Sequence, residues 1–373
     1  MENGAAKGVA GEILAPDTAL RGQSTNRDVV GEFELRAPSV MVTSGGIGGN
    51  FDLVRQSWPT DRLGPAPKEM IAGVPAHVDG RMVAISQKAG GNLINNDRMW
   101  HYTEGVKNWD PIWPNHGIRI LPGPSSMWFD ATGNRFAPPA LPGFDSLATL
   151  KMILDTGYDY SWFITTQKIL KKEFALSGSE QNPDFEQKSW KEVLKQRILN
   201  KEATPAVEAF KKHGENFVVA KTLEELVGKM NAMQGNDLLP LDKIEAEIKA
   251  RDAQTTNPFT KDLQIMAIHA ARNHRGDKFQ RTAKLHKILD PANGPLVGVK
   301  LNIITRKTLG GLQTDLNSQM LNAAGDPIPG LFAAGEVAGF GGGGYHGYNA
   351  LEGTFLGGCI FSGRQAGRSD SVA

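Results

Sequence analysis

Cys359 is the one cysteine in a chain of 373 residues. A single thiol excludes an intrachain disulfide and a cysteine-built metal cage, and it agrees with a reducing compartment. Net charge is almost absent too: 41 Lys plus Arg face 40 Asp plus Glu, a formal +1. No whole-chain field therefore draws in nucleic acid or an anionic membrane, and neither is expected as a partner. There is no apolar run long enough to span a bilayer. The N-terminal stretch lacks the basic segment and apolar core of a signal peptide, so the expected address is cytoplasmic. The eight histidines are scattered. His269 and His274 miss the one-turn spacing of a helical zinc pair, and no G-x-S-x-G elbow occurs, so neither a metal nor an activated serine is expected.

Glycine is what the chain has in excess: 43 of 373 residues, about 11.5% against roughly 7% in ordinary proteins. Gly45, Gly46, Gly48 and Gly49 form one knot, and a second cluster runs from Gly335 to Gly367. No fixed period links them, which excludes collagen-like and solenoid architectures. Glycine gathered at the two ends of the chain marks backbone that something large approaches closely.

The length predicts two to three domains. Residues 8–44 read as β structure: an apolar stretch Val9–Leu14, alternation through Val30, Phe33 and Leu35, then a buried run Val40-Met41-Val42 that stops at Ser44-Gly45-Gly46. Residues 97–145 hold Trp100, Trp109, Trp113 and Trp128 among many Pro and Gly, which predicts aromatic loop. Residues 186–250 predict helices. Trp190, Val193, Leu194 and Ile198 recur at helical spacing, and Thr222 with Glu225 forms a capping box ahead of Leu223, Leu226, Val227 and Met230. Strand signals return at Val297–Ile304, Thr308–Leu312 and Leu331–Ala334, and Thr354–Arg368 reads as a closing helix. The basic cluster Arg272 to Lys284 is read as a solvated helix face.

The strongest signal is Gly330-Leu-Phe-Ala-Ala-Gly-Glu336 followed by a glycine loop and a helix start near Thr354. A strand with an acidic residue at its carboxyl end, a loop without side chains and a helix N-terminus suits a flat ligand that develops negative charge, as a reduced flavin does. On these residues the chain resembles the FAD-dependent oxidoreductases of the fumarate reductase and succinate dehydrogenase flavoprotein family. Gly330–Gly339 matches that family's strand-Ala-Ala-Gly-Glu motif, Val42–Gly46 its second Gly-Gly strand end, and Thr308–Gly311 its Thr-Met-Gly-Gly turn. Trp100-His101-Tyr102-Thr103 resembles the Phe-His-Pro-Thr stretch that faces substrate. The likeness is greatest to the 3-ketosteroid Δ1-dehydrogenase-like branch.

The resemblance implies an α/β fold, with a discontinuous FAD-binding sheet domain (1–55 and 296–373) and an inserted, mostly helical cap (56–295). It implies FAD as cofactor, with Gly45, Gly46, Gly335, Glu336, Gly353 and Thr354 as contacts and Glu336 accepting from ribityl or ribose hydroxyls. Two departures sharpen the reading. Ala350 stands where dicarboxylate reductases carry the arginine that grips substrate, and Lys307 where they carry a histidine. Tyr348 instead matches the tyrosine that polarises a ketone in the ketosteroid branch, although Glu352 replaces a glycine there. The G-x-G-x-x-G unit with which the family opens has no match in Met1–Lys7. Tyr348, Tyr345 and His101 are the candidate catalytic residues. Tyr158 and Tyr160 read either as core or as cap phenols over the flavin. Two functions follow: a flavin-dependent oxidoreductase acting on the C–C bond beside a ketone in an apolar substrate, with an unknown electron acceptor, or a non-catalytic chain that holds FAD weakly.

Overall fold

The computed structural model describes residues 1–20, 22–178, 180–200, 202–339 and 354–369. Three strands open the chain: β1 (Gly8–Leu14), β2 (Val29–Arg36) and β3 (Val40–Val42). β1 and β2 form a separate antiparallel hairpin whose register runs from Gly8 opposite Arg36 to Ile13 opposite Gly31. Both of its faces meet solvent, with Val30 62% and Leu35 61% exposed, so the apolar alternation seen in the sequence does not mark a core face.

Short strands β4 (Ile71–Ala72) and β5 (Leu93–Ile94) precede the long β6 (Met99–Lys107), β7 (Gly117–Leu121) and β8 (Met127–Asp130). The expectation of aromatic loop over 97–145 is thus corrected. Trp100 sits within β6 and Trp128 within β8, and every residue of β6 except Lys107 is buried. A strand covered on both faces has no polar/apolar alternation to betray it.

Next come β9 (Tyr160–Thr166), β10 (Ala175–Leu176), β11 (Phe217–Ala220) and β12 (Leu296–Thr308). They complete an eight-stranded sheet in the order β10-β7-β6-β12-β9-β8, with β11 and β4 also on β12. β12 is its axis. The first half pairs with β9 and β11, and the second half with β6 and β4. Its near-continuous run Leu296–Ile304 supplies both faces. Val297, Val299 and Leu301 join a core with Ile118, Phe163 and Phe210, while Leu296 joins another with Phe129, Trp162 and Ile248.

Helices cover those cores within the span 186–250 that reads as helical: Pro205–His213, Leu223–Gln234 and Leu241–Ala253, with Leu263–Asn273 following them. The cap at Thr222 forms, its hydroxyl accepting from the Glu225 N–H at 3.2 Å, and the Glu225 carboxylate reaches back to the Lys221 N–H at 3.0 Å. The middle of the chain is therefore helices packed on a sheet that the helical periodicity alone does not announce.

The last strands are β13 (Gly311–Leu312), β14 (Gln319–Leu321) and β15 (Pro327–Ala333). β14-β15-β3 make a second, three-stranded sheet in which β15 and β3 run parallel, Leu331 opposite Val40 and Ala333 opposite Val42. Val42 is buried there, but Met41 is 40% exposed. The closing helix Thr354–Ala366 follows. β3 and β15 thus pair across the chain in the small sheet, whereas β12 belongs to the large one.

Candidate functional site

Parallel pairing carries β3 and β15 out of the sheet side by side, so Ser44-Gly45-Gly46 and Gly335-Glu336 leave it together. Carboxyl ends of parallel strands present free backbone groups and are the usual ligand edge of an open sheet. The end of β12 arrives at the same place and supplies the hub, Thr308. Its Oγ1 accepts from the Ile47 N–H at 3.0 Å, and its own N–H donates to Glu336 Oε1 at 2.9 Å. Three residues earlier, Thr305 Oγ1 donates to the Gly48 carbonyl at 2.6 Å. The glycine knot is thereby pinned to the end of the large sheet.

Glycine is required at this junction for two reasons. Gly45 holds φ +78°, a conformation that side chains disfavour. A Cβ on Gly46 would lie 1.9 Å from Thr308 Oγ1 and 2.7 Å from Glu336 Oε1, closer than atoms can approach. The Glu336 carboxyl sits beside them. Burial raises its pKa, opposed by the Thr308 N–H and by the charges of Lys307 and Arg306. With Oε1 committed to Thr308, Oε2 faces Gly45.

The closing helix is tied to the same edge: the Gly335 N–H donates to Ser362 Oγ at 3.0 Å, and Ser318 Oγ donates to the Ser362 carbonyl at 2.9 Å. Phe355, from its first turn, packs with Trp100, Tyr102, Ile304 and Leu309, and Cys359 lies against that cluster. Burial and the Glu336 charge push the Cys359 thiol up. A cavity of 110 Å³ opens between Gly46, Gly80, Thr308, Gly310, Glu336 and Val337.

His101 lies on the opposite face of β6 from Trp100, behind the helix Phe51–Gln56. Its ring stacks on Trp58 at 5.1 Å with 28° between planes. It is buried, its Nδ1 has no hydrogen-bond partner among the described residues, and burial lowers its pKa to about 4, so the imidazole is neutral at physiological pH. A 10 Å³ void beside it shares Ser57 with the Glu336 cavity. Tyr160 is in the core, with the Lys300 ammonium 5.0 Å from its ring centre, and Tyr158 packs against the same cluster.

Among the sequence candidates, the structure brings together Gly45, Gly46, Gly335 and Glu336, and it starts the closing helix at Thr354. His101 is not in that group and lines a separate small void with Val54, Ser57 and Trp58. Tyr345, Tyr348 and Gly353 lie outside the described residues. Sequence reasoning did not single out Trp58 and Ser57, which have no motif around them, or Ser362, which lies in the closing helix of the glycine-rich stretch. Among the described residues no group of acidic, histidine or cysteine side chains could hold a metal ion. Nor is any helix there long and apolar enough to cross a membrane.

Residues 1–356 match the FAD binding domain family. The chain belongs to this family. It is 56% identical over 370 residues to a KsdD-like steroid dehydrogenase from Mycobacterium tuberculosis (strain CDC 1551 / Oshkosh), covering 99% of this chain and 65% of that protein. The chain therefore spans just under two thirds of that relative's length. Two solved structures share its fold. 3-Ketosteroid Δ1-dehydrogenase from Sterolibacterium denitrificans in complex with 1,4-androstadiene-3,17-dione superposes with TM-score 0.55 at 16% identity, over 90% of this chain and 55% of the other. The open conformation of a flavocytochrome c3 fumarate reductase gives 0.53 at 19%, over 97% and 50%.

FAD is the cofactor of the family, and the residues at the β3/β15 edge fit its flavin end. The glycine cradle carries no side chains, and the Glu336 carboxylate, with Oε1 taken by Thr308, lines the 110 Å³ cavity beside it. Were FAD held there, it would supply hydride transfer, and this edge would contribute position and hydrogen bonds.

Proposed function

We propose that the protein is an FAD-dependent oxidoreductase that dehydrogenates or reduces the C–C bond next to a ketone in an apolar, steroid-like substrate. The observation that carries this reading is the 56% identity, over 99% of the chain, to a KsdD-like steroid dehydrogenase. Ala350 supports it from the sequence, because a dicarboxylate substrate would meet no guanidinium at that position and an unpaired carboxylate in a dry cleft is costly.

In this reading residues 1–55 and 296–373 carry the cofactor and residues 56–295 cover the substrate; β12, the first strand after the covering segment, pairs with that segment's β6 and β9 and delivers Thr308 to the cofactor edge. Gly45, Gly46, Gly335, Gly353 and Thr354 lie against the flavin, and Glu336 accepts from a hydroxyl of its sugar chain. Tyr348 would donate a hydrogen bond to the substrate ketone and stabilise the negative charge that develops on its oxygen. Tyr345 and His101 stand on the substrate side. A neutral His101 acts there as a polar wall rather than as a charged acid.

The test is anaerobic stopped-flow reduction of the FAD-loaded protein by a saturated 3-ketosteroid, wild type against Tyr348→Phe. The substitution keeps the ring and removes one donor, so a 10² to 10³ fall in flavin reduction is expected with FAD content unchanged. An unchanged rate with normal FAD content would overturn the role of Tyr348. Turnover of fumarate would overturn the substrate class.

A further inference from the structure

A second cavity lies away from the Glu336 edge. It measures 740 Å³ and lies beyond the outer strand β10 of the large sheet, sharing no lining residue with the Glu336 cavity. That volume falls within the range of small-molecule sites, about 300 to 1,000 Å³. Its wall carries six cations, Lys168, Lys171, Lys172, Arg197, Arg281 and Lys284, against one carboxylate, Glu202, among the described residues. In a chain whose charges otherwise balance, such a concentration calls for a cause.

Three separate elements build it. Lys168, Lys171 and Lys172 stand at i, i+3 and i+4 on the helix Gln167–Glu173, hence on one face. Like charges so placed weaken a helix, and stability alone does not favour them. Arg197 comes from the π-helical turn Leu194–Leu199, an unusual geometry that often serves a site. Arg281 and Lys284 come from the basic segment that reads in sequence as a solvated helix face. The fold turns these two into the cavity instead.

The two arginines are already engaged, whereas two of the lysines meet only uncharged acceptors. Arg197 is held by Asp184, and the Arg281 guanidinium donates to the Leu121 carbonyl at 3.0 Å. Lys168 donates to the Asn293 amide oxygen at 2.9 Å and Lys172 to the Phe279 carbonyl, both uncharged acceptors. Among the described residues Lys168, Lys171, Lys172 and Lys284 take part in no ion pair. Leu121, Phe174 and Leu176 add an apolar wall.

From this arrangement we infer that the cavity is a binding site for a polyphosphate-bearing anion of nucleotide size. Compact ammonium groups from several directions suit a multiply charged phosphate chain, for which lysine serves as a point charge. The site is independent of the proposed oxidoreductase reaction.

The experiment is calorimetric titration of tripolyphosphate and of ATP into the full chain. Saturating FAD is present so that the family's own nucleotide site is not what is titrated. Saturable binding is expected at 50 mM salt and weaker binding at 200 mM, as screening requires. Replacing three exposed lysines of the wall, Lys168→Gln, Lys171→Gln and Lys284→Gln, should weaken it roughly tenfold or more. The same exchange at Lys88, Lys221 and Lys261, exposed lysines outside the cavity lining, should leave it unchanged. A tighter Kd for ATP than for tripolyphosphate assigns the ligand as a nucleotide, and equal values assign an inorganic polyphosphate chain. Absence of saturable binding by wild type, or equal losses in the two triple variants, overturns the inference.

Discussion

At Gly46 a single hydrogen atom separates a working junction from a broken one. Gly46→Ala would drive a methyl into Thr308 Oγ1, forcing apart the Ile47–Thr308 and Thr308–Glu336 bonds. Overpacking of this kind costs about 1 to 3 kcal/mol. The variant should melt lower than wild type and retain less FAD, read as the flavin-to-protein absorbance ratio after gel filtration. His101 makes a prediction of another kind. Its folded pKa is about 4 against 6.5 for the free side chain, so between those values the unfolded chain binds the extra proton. Stability contributed by the neutral ring is present above pH 6.5 and is lost as pH falls toward 4, about 2 kcal/mol between pH 7 and pH 5. His101→Phe keeps the stack on Trp58 and removes the titration. Urea unfolding at the two pH values should show wild type losing about that much more than the variant, and parallel curves would refute the assignment.

Among the elements, the closing helix Thr354–Ala366 is tied at its far end through Ser362. Ser362 Oγ accepts from the Gly335 N–H, and the same hydroxyl donates back to the Gly358 carbonyl. Ser362→Ala would strand the Gly335 N–H, a loss of about 1 to 3 kcal/mol where the group is shielded from water. Hydrogen exchange at Gly335 and along the helix should accelerate, while amides of β9 keep their protection. The hairpin β1/β2 illustrates the opposite case. Its alternation is regular, yet neither face is covered by the described residues, so pattern alone does not decide burial.

Across the whole molecule β12 is the shared member: it pairs with β9 and β11 at one end and delivers Thr308 to the glycine edge at the other. Damage at its centre should therefore be felt at both. Leu301→Ala, at a fully buried position, is expected to cost about 2 to 5 kcal/mol. Denaturation followed by tryptophan fluorescence, which reports the large sheet, and by flavin release, which reports the cofactor edge, should shift together. Two separated transitions would show that the sheets unfold independently.

The parts legible in the sequence are those whose signal is local. Strand ends at Gly45-Gly46 and Gly335-Glu336, the cap at Thr222 and the helices through Ile248 rest on residue types and spacings within one turn or one strand. β6 and β8 were hidden because both of their faces are buried, which erases the period of two that identifies a strand and sets its register. No local pattern could join Ile47 to Thr308 across 261 positions, stack Trp58 on His101, or turn Arg281 and Lys284 toward the lysines of another helix. Such neighbours are chosen by the packing of whole layers. Local propensity supplied the elements and their glycine exits, while long-range burial decided which exits meet, where charge gathers and which histidine stays neutral.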